Sequence, residues 1–237
     1  MTETTANHTV RRTSKSDDER MDLSATLPFL AMHLACLLVI WAGASWIAVT
    51  TGVVLFYVRL FSISGGYHRY FSHRSYRTSR AFQFILALVG TSTGQRDPLW
   101  WAAHHRHHHH YSDTEMDIHS PVVKGFWWAH VGWLLCKKYT GVTLSLVPDL
   151  ARFPELRFLS RYAWLPPLAL AVGLFALGGW LEGYAPALHT SGFQMLIWGF
   201  FISTVTLFHV TFLVNSVTHL VGRQRFDTGD YSRNSFW

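Results

Sequence analysis

The sequence predicts an all-α integral membrane protein: four transmembrane helices under a cytoplasmic helical cap that carries clustered histidines. Three observations predict it. Four apolar stretches approach the roughly 20 residues that a bilayer-crossing helix needs. Only 14% of the residues are charged, against 49% hydrophobic, a balance far from that of a soluble domain. The 20 Lys and Arg residues fall in three segments only: Arg11 to Arg20, Arg59 to Arg161, and Arg223 onward.

Taken in order, residues 1–22 are polar and charged and are expected to form a disordered tail. Residues 23–237 are expected to form one domain. The first span is expected from Leu27 to Ala42 and the second from Trp46 to Ser64, joined by the short Gly43-Ala44-Ser45 turn into a helical hairpin. No small-residue cleavage motif followed by a hydrophilic start accompanies the first run, so it reads as a span rather than a signal peptide. Ala81 to Thr93 is apolar but too short to cross, and predicts a re-entrant or interfacial helix. Lys124 to Leu135, rich in Phe and Trp and followed by Lys137 and Lys138, predicts one interfacial helix with aromatics down and cations up. The third span is expected from Tyr162 to Trp180, the fourth from Phe193 to Leu213.

The turns near residues 43–45 and 181–192 carry no Lys or Arg. The positive-inside rule therefore places both termini and the large central segment in the cytoplasm. On this reading the net charge of +6 reflects topology and contact with anionic lipid, not nucleic acid. Two cysteines, Cys36 and Cys136, exclude a disulfide framework and a cysteine-built metal site. Any metal must use imidazole, carboxylate or amide.

Histidines supply that possibility. His105, His108 and His109 stand at i, i+3 and i+4 of a helix and share one face. His68 and His73 are five apart, about 140° round an ideal helix, so they meet at one ion only if the helix ends or distorts between them. His68 follows the second span and His219 the fourth, at similar depth, with Asn215 one turn before His219. Six histidines (His68, His73, His105, His108, His109 and His219) are too many for one catalytic ion that keeps an open position, so two ions are expected. Imidazole suits iron, copper, zinc and nickel alike. His107 and His110 are expected on the surface or supporting the ligands. His8, His33, His130, His189 and His209 read singly as structural or solvent-exposed. Asp113, Glu115, Asp117 and His119 follow the histidine run, and its carboxylates can orient ligating imidazoles through their second nitrogen.

These motifs resemble those of the membrane fatty-acyl desaturases of the stearoyl-CoA desaturase type. The matching pieces are Gly66-Tyr67-His68-Arg69-Tyr70-Phe71-Ser72-His73, the stretch from Trp101 through His105-Arg106-His107-His108-His109, His130-Val131-Gly132-Trp133-Leu134, and Asn215-Ser216-Val217-Thr218-His219. The resemblance implies a di-iron centre and O2-dependent insertion of a cis double bond, most commonly Δ9, into a saturated acyl chain. It implies that His68, His73, His105 and His109 serve one iron. His108 and His219 serve the other, with Asn215 acting through a water. It also implies substrate contacts at Lys137, Lys138 and Trp101, and electrons from a separate ferredoxin-, rubredoxin- or cytochrome b5-type partner. The family's animal members carry polar or charged residues just before the second box. Here Ala103 and His104 stand there, which leaves CoA, carrier-protein and lipid-linked chains open. A third histidine box follows the fourth span in the family; this chain stops 18 residues after His219, so a C-terminally incomplete chain with impaired metal binding is expected. A membrane di-iron hydroxylase, a metal-binding or transport protein and a zinc-dependent lipid hydrolase are the competing readings. The scarcity of polar groups within the spans argues against transport, and the lack of an evident carboxylate base argues against the hydrolase.

Overall fold

A computed structural model describes residues 19–225 and 231–234. Residues 1–18 of the expected tail lie outside the described residues. Glu19, in the tail's last part, binds Lys138 Nζ at 2.7 Å and Lys124 Nζ at 3.2 Å.

The described residues contain helices α1 Leu23–Cys36, α2 Val39–Ala42, α3 Trp46–Phe61, α4 Arg80–Thr91, α5 Pro98–Tyr111, α6 Pro121–Lys124, α7 Phe126–His130, α8 Pro148–Ala151, α9 Pro154–Arg161, α10 Leu165–Tyr184, α11 Gly192–Leu196 and α12 Ser203–Ser216. No strand occurs among them; two isolated bridges, Met21 to Cys136 and Arg223 to Asn234, pin loop ends. Four helical stretches are long and apolar enough to cross a membrane: Leu23–Ala42, Trp46–Ser72, Leu165–Tyr184 and Gly192–Ser216. Their outer faces expose Leu30, Leu34, Trp41, Val54, Phe175 and Val214, a surface that suits hydrocarbon rather than water.

Local sequence explains where each helix starts. Asp22 caps α1 by accepting from the Ser24 amide, and Ser45 caps α3 by accepting from Ala48. Asp97 caps α5 with Pro98 in its first turn, where a missing N–H costs nothing. Ser191 and Gln194 form a capping box on α11. The spans approach closely where side chains are absent. A Cβ on Gly52 would stand 2.6 Å from the Trp198 carbonyl oxygen, so the backbones of the second and fourth spans meet there as small-residue membrane interfaces do. Arg59, fully buried in the second span, donates to the Leu55 carbonyl at 3.3 Å and the Thr204 hydroxyl at 2.8 Å, and also to Ser203. It ties that span to α12 without a carboxylate.

Two expectations are corrected. The second span does not stop at Ser64; it runs on to Ser72 through a π-helical segment, Ser62–Ser72. At Gly66 the segment packs closely against Leu86 of α4. The aromatic stretch after Lys124 is not one interfacial helix. Gly125, at φ +87°, separates α6 from α7, and a 3₁₀ turn follows at Gly132–Leu135. Trp128 of α7 turns inward and donates to the Ile118 carbonyl at 2.9 Å, building the cap's core instead of facing lipid. The short helix α4 forms as expected, beside the π segment.

Candidate metal centre

The π segment solves the His68–His73 spacing. The His73 amide donates to the His68 carbonyl at 3.1 Å, a bond closing five residues instead of four. Residues five apart are thereby brought together, and the two rings lie 4.6 Å apart. Helix α5 supplies the facing set. His105 Nε2 is 3.1 Å from His73 Nε2 and 3.0 Å from His109 Nε2, and the His68 ring is 4.7 Å from that of His105. One ligand atom from each of His68, His73, His105 and His109 lies within 4.8 Å of every other. Nitrogens roughly 3 Å apart are what two imidazoles have when each is ~2.1 Å from one ion at about a right angle.

A second group adjoins the first through His108 of the same helix. His108 Nδ1 bonds the Asp117 carboxylate at 2.9 Å, and His219 Nδ1 bonds that of Asp113 at 2.8 Å. Each carboxylate fixes which ring nitrogen carries the proton and directs the Nε2 edge away from itself. The His108 and His219 rings are 5.7 Å apart. Asn215 stands four residues before His219 near the end of α12. The sequence places His119 after the histidine run but gives no sign that it is a donor. It is buried, its ring is 4.2 Å from that of His108, and its Nδ1 has no hydrogen-bond partner. His108, Asp117 and His119 form a second set with metal-ligand spacing. Only the fold, which turns the chain back over α5, places His119 there.

Asp117 also accepts from the Asp113 and His119 amides. Asp113 accepts from Ser120 Oγ at 2.6 Å and from the Tyr231 amide at 2.8 Å. Burial alone would raise the Asp113 pKa, but the bonds from His219, Ser120 and Tyr231 bring it down to about 2. The same balance lowers Asp117, with the bond from His108 the main counterweight to burial. Arg106 locks the two boxes together. It donates to the Ser72 and Phe71 carbonyls and forks onto Asp149 at 2.8 and 3.0 Å.

The remaining expected residues divide. Trp101 stacks on His105 at 4.6 Å and 25°, so it supports a candidate ligand. Lys138 lines an open cleft of about 260 Å³ with His104, His107, Tyr139 and Val142. Lys137 is exposed at the next position. His107 bonds the Met116 carbonyl at 3.0 Å, and His110 is exposed against Tyr111; neither joins the two groups. Glu115 is exposed and orients nothing.

Burial, then the neighbouring imidazoles of His109, His68, His108 and His73, hold the His105 pKa well below its ordinary value. Burial and Arg106 lower His73. Neutral imidazoles are the form a metal takes. Burial also pulls His104 down to about 4, against the bond it makes to the Trp100 carbonyl. An unfolded imidazole titrates near 6.5. Between there and about 4 the unfolded chain binds protons that the folded cap refuses. Stability is therefore full above that window and falls as pH falls through it. Thermal unfolding of the metal-free chain in detergent at pH 7.5, 6 and 5 should show steadily lower midpoints; a midpoint that rises on acidification contradicts this. Asp117→Asn should weaken metal binding at His108 by about 10- to 100-fold, read by cobalt titration, with the His68–His73–His105–His109 group binding as before.

The chain matches the family model described as fatty acid desaturase over residues 44–237. It is 37% identical over 218 residues to the sn-1 stearoyl-lipid 9-desaturase of Anabaena variabilis, an alignment covering 90% of this chain and 74% of that one. It is 34% identical over 221 residues to a chloroplastic palmitoyl-monogalactosyldiacylglycerol delta-7 desaturase of Arabidopsis thaliana, covering 92% of this chain and 56% of that one. An acyl-CoA 5-desaturase of Anemone leveillei is 34% identical over 210 residues, 87% of this chain and 61% of its own length. The chain thus spans between 56% and 74% of the length of these three relatives. On the family match and these identities together, the chain belongs to the fatty acid desaturase family.

Proposed function

We propose that this chain carries the catalytic centre of an O2-dependent membrane di-iron desaturase that inserts a cis double bond, at Δ9, into a saturated fatty-acyl chain. The observation that carries the reading is the pair of adjacent histidine groups in the cap, one of them braced by two buried aspartates. Its relatives act on acyl-lipids and on acyl-CoA, and either carrier suits the open cleft beside Lys138.

The residues fit iron. His68, His73, His105 and His109 would hold one ion; His108 and His219, with Asn215 through a water and His119 close by, would hold the other. Bound there, iron would supply the oxygen chemistry needed to remove hydrogen from an unactivated methylene, which no side-chain base can do. The chain's own residues position and exclude. Asp113 and Asp117 keep His219 and His108 in one tautomer. Trp101 fixes the plane of His105. Arg106 holds the two boxes in register, and the Trp100–Trp133 stack, 5.6 Å between rings, packs α5 against the 132–135 turn. Two electrons come from a separate carrier of ferredoxin, rubredoxin or cytochrome b5 type. The cap faces the cytoplasm with both termini, a reading supported by the distribution of Lys and Arg.

The test is product analysis in a desaturase-deficient host. It expresses this chain and a version extended by the third histidine box that the family resemblance implies. At least one should yield cis-monounsaturated chains bonded at C9, and His105→Ala should abolish the product in whichever is active. Hydroxylated chains in place of unsaturated ones would overturn the reading, as would lack of any oxidised product from both.

A further inference from the structure

Three histidines that read singly as structural form one continuous chain. His33 Nδ1 lies 2.7 Å from the Phe29 carbonyl, and His33 Nε2 lies 3.0 Å from His209 Nε2. His209 Nδ1 lies 3.1 Å from His130 Nε2, and His130 Nδ1 lies 3.0 Å from Ser216 Oγ. Ser216 Oγ in turn lies 3.0 Å from the Phe212 carbonyl. Every ring uses both of its nitrogens.

Both ends of this chain are carbonyl oxygens, which only accept. Five links join them. Three neutral imidazoles and one hydroxyl carry only four protons. The uncharged chain therefore leaves one link without a proton, with two lone pairs about 3 Å apart. One added proton completes every link and makes the chain a shared imidazolium.

The chain runs inward from the metal-bearing end of α12. Ser216 adjoins Asn215 and stands one turn before His219. His209 lies seven residues deeper, roughly 10 Å along the helix, and His33 stands ten residues into the first span, roughly 15 Å. The packing around it is aromatic: Phe29, Phe126, Phe208 and Phe212. Facing elements add few titratable groups. α1 presents Cys36, bonded to the Met32 carbonyl, and α3 presents Arg59, bonded to Ser203 and Thr204. The 132–135 and 197–202 segments carry none.

We propose that His33, His209 and His130 form an intramembrane proton store that binds one proton and passes it through Ser216 toward the metal end of α12. Its use rests on the function proposed above. Desaturation turns –CH2–CH2–, O2, two electrons and two protons into –CH=CH– and two waters, so the reaction consumes two protons, and a store beside the metal end of α12 would supply one of them. Histidine chains are a known means of carrying protons within membranes.

The test needs no turnover, so its failure and that of the desaturase reading are separable. ¹⁵N-histidine solid-state NMR of the chain in lipid bilayers at pH 7.5 counts doubly protonated imidazoles. An ordinary histidine is then charged about one part in ten. The wild-type spectrum minus that of His209→Phe should contain about one whole imidazolium per chain, with ¹⁵N–¹⁵N couplings across the His33–His209 and His209–His130 links. Neither signal in the wild type overturns the proposal, whatever the variant does. So does a His209→Phe chain that melts like wild type but has lost iron as His105→Ala does, because His209 is then a metal ligand.

Discussion

Two buried aspartates hold the histidine cap together. Asp113 and Asp117 have side chains with no exposed surface, and each binds an imidazole from a different part of the fold. His108 comes from α5 and His219 from beyond α12, so the carboxylates join the cap to the end of the fourth span. An unpaired buried charge is costly, and removing one partner of such a pair typically costs about 3–5 kcal/mol. Amide and hydroxyl donors saturate the remaining carboxylate oxygens. The segment after α5 must therefore fold back over the helix in one way, and that fold is what brings His119 into the site.

The spans set the depth of the other group. Carrying the second span through a π segment continues its backbone hydrogen bonding to the lipid boundary, where an open turn would be expensive. The wide turn also converts a five-residue spacing, poor for an α-helix, into a convergent pair. Arg106 then registers that pair against α5 by gripping the carbonyls of Phe71 and Ser72. The same residues satisfy the membrane's demand for bonded backbone and the site's demand for geometry.

Much of this was legible in the sequence. Three of the four apolar stretches appear within a few residues of where composition places them, the second running eight residues further, and the i, i+3, i+4 set of α5 follows from helical period alone. What sequence could not supply was long-range or sensitive to one residue. The π segment looks like the end of an ordinary helix, because nothing local announces a five-residue bond. Gly125 looks like a tolerated glycine until its positive φ breaks the helix. His119, and the chain through His33, His130 and His209, depend on contacts between residues as much as 176 positions apart, which no periodicity encodes. Read singly, each of those histidines is unremarkable; their meaning lies in their juxtaposition.

The proposed pair of metal sites sharing helix α5 is tested most directly by anaerobic ferrous-iron titration of the chain with single-site variants. Two separable binding events are expected, with His73→Ala removing one and His219→Ala removing the other. A single event abolished by either variant would contradict this and reduce the cap to one shared site.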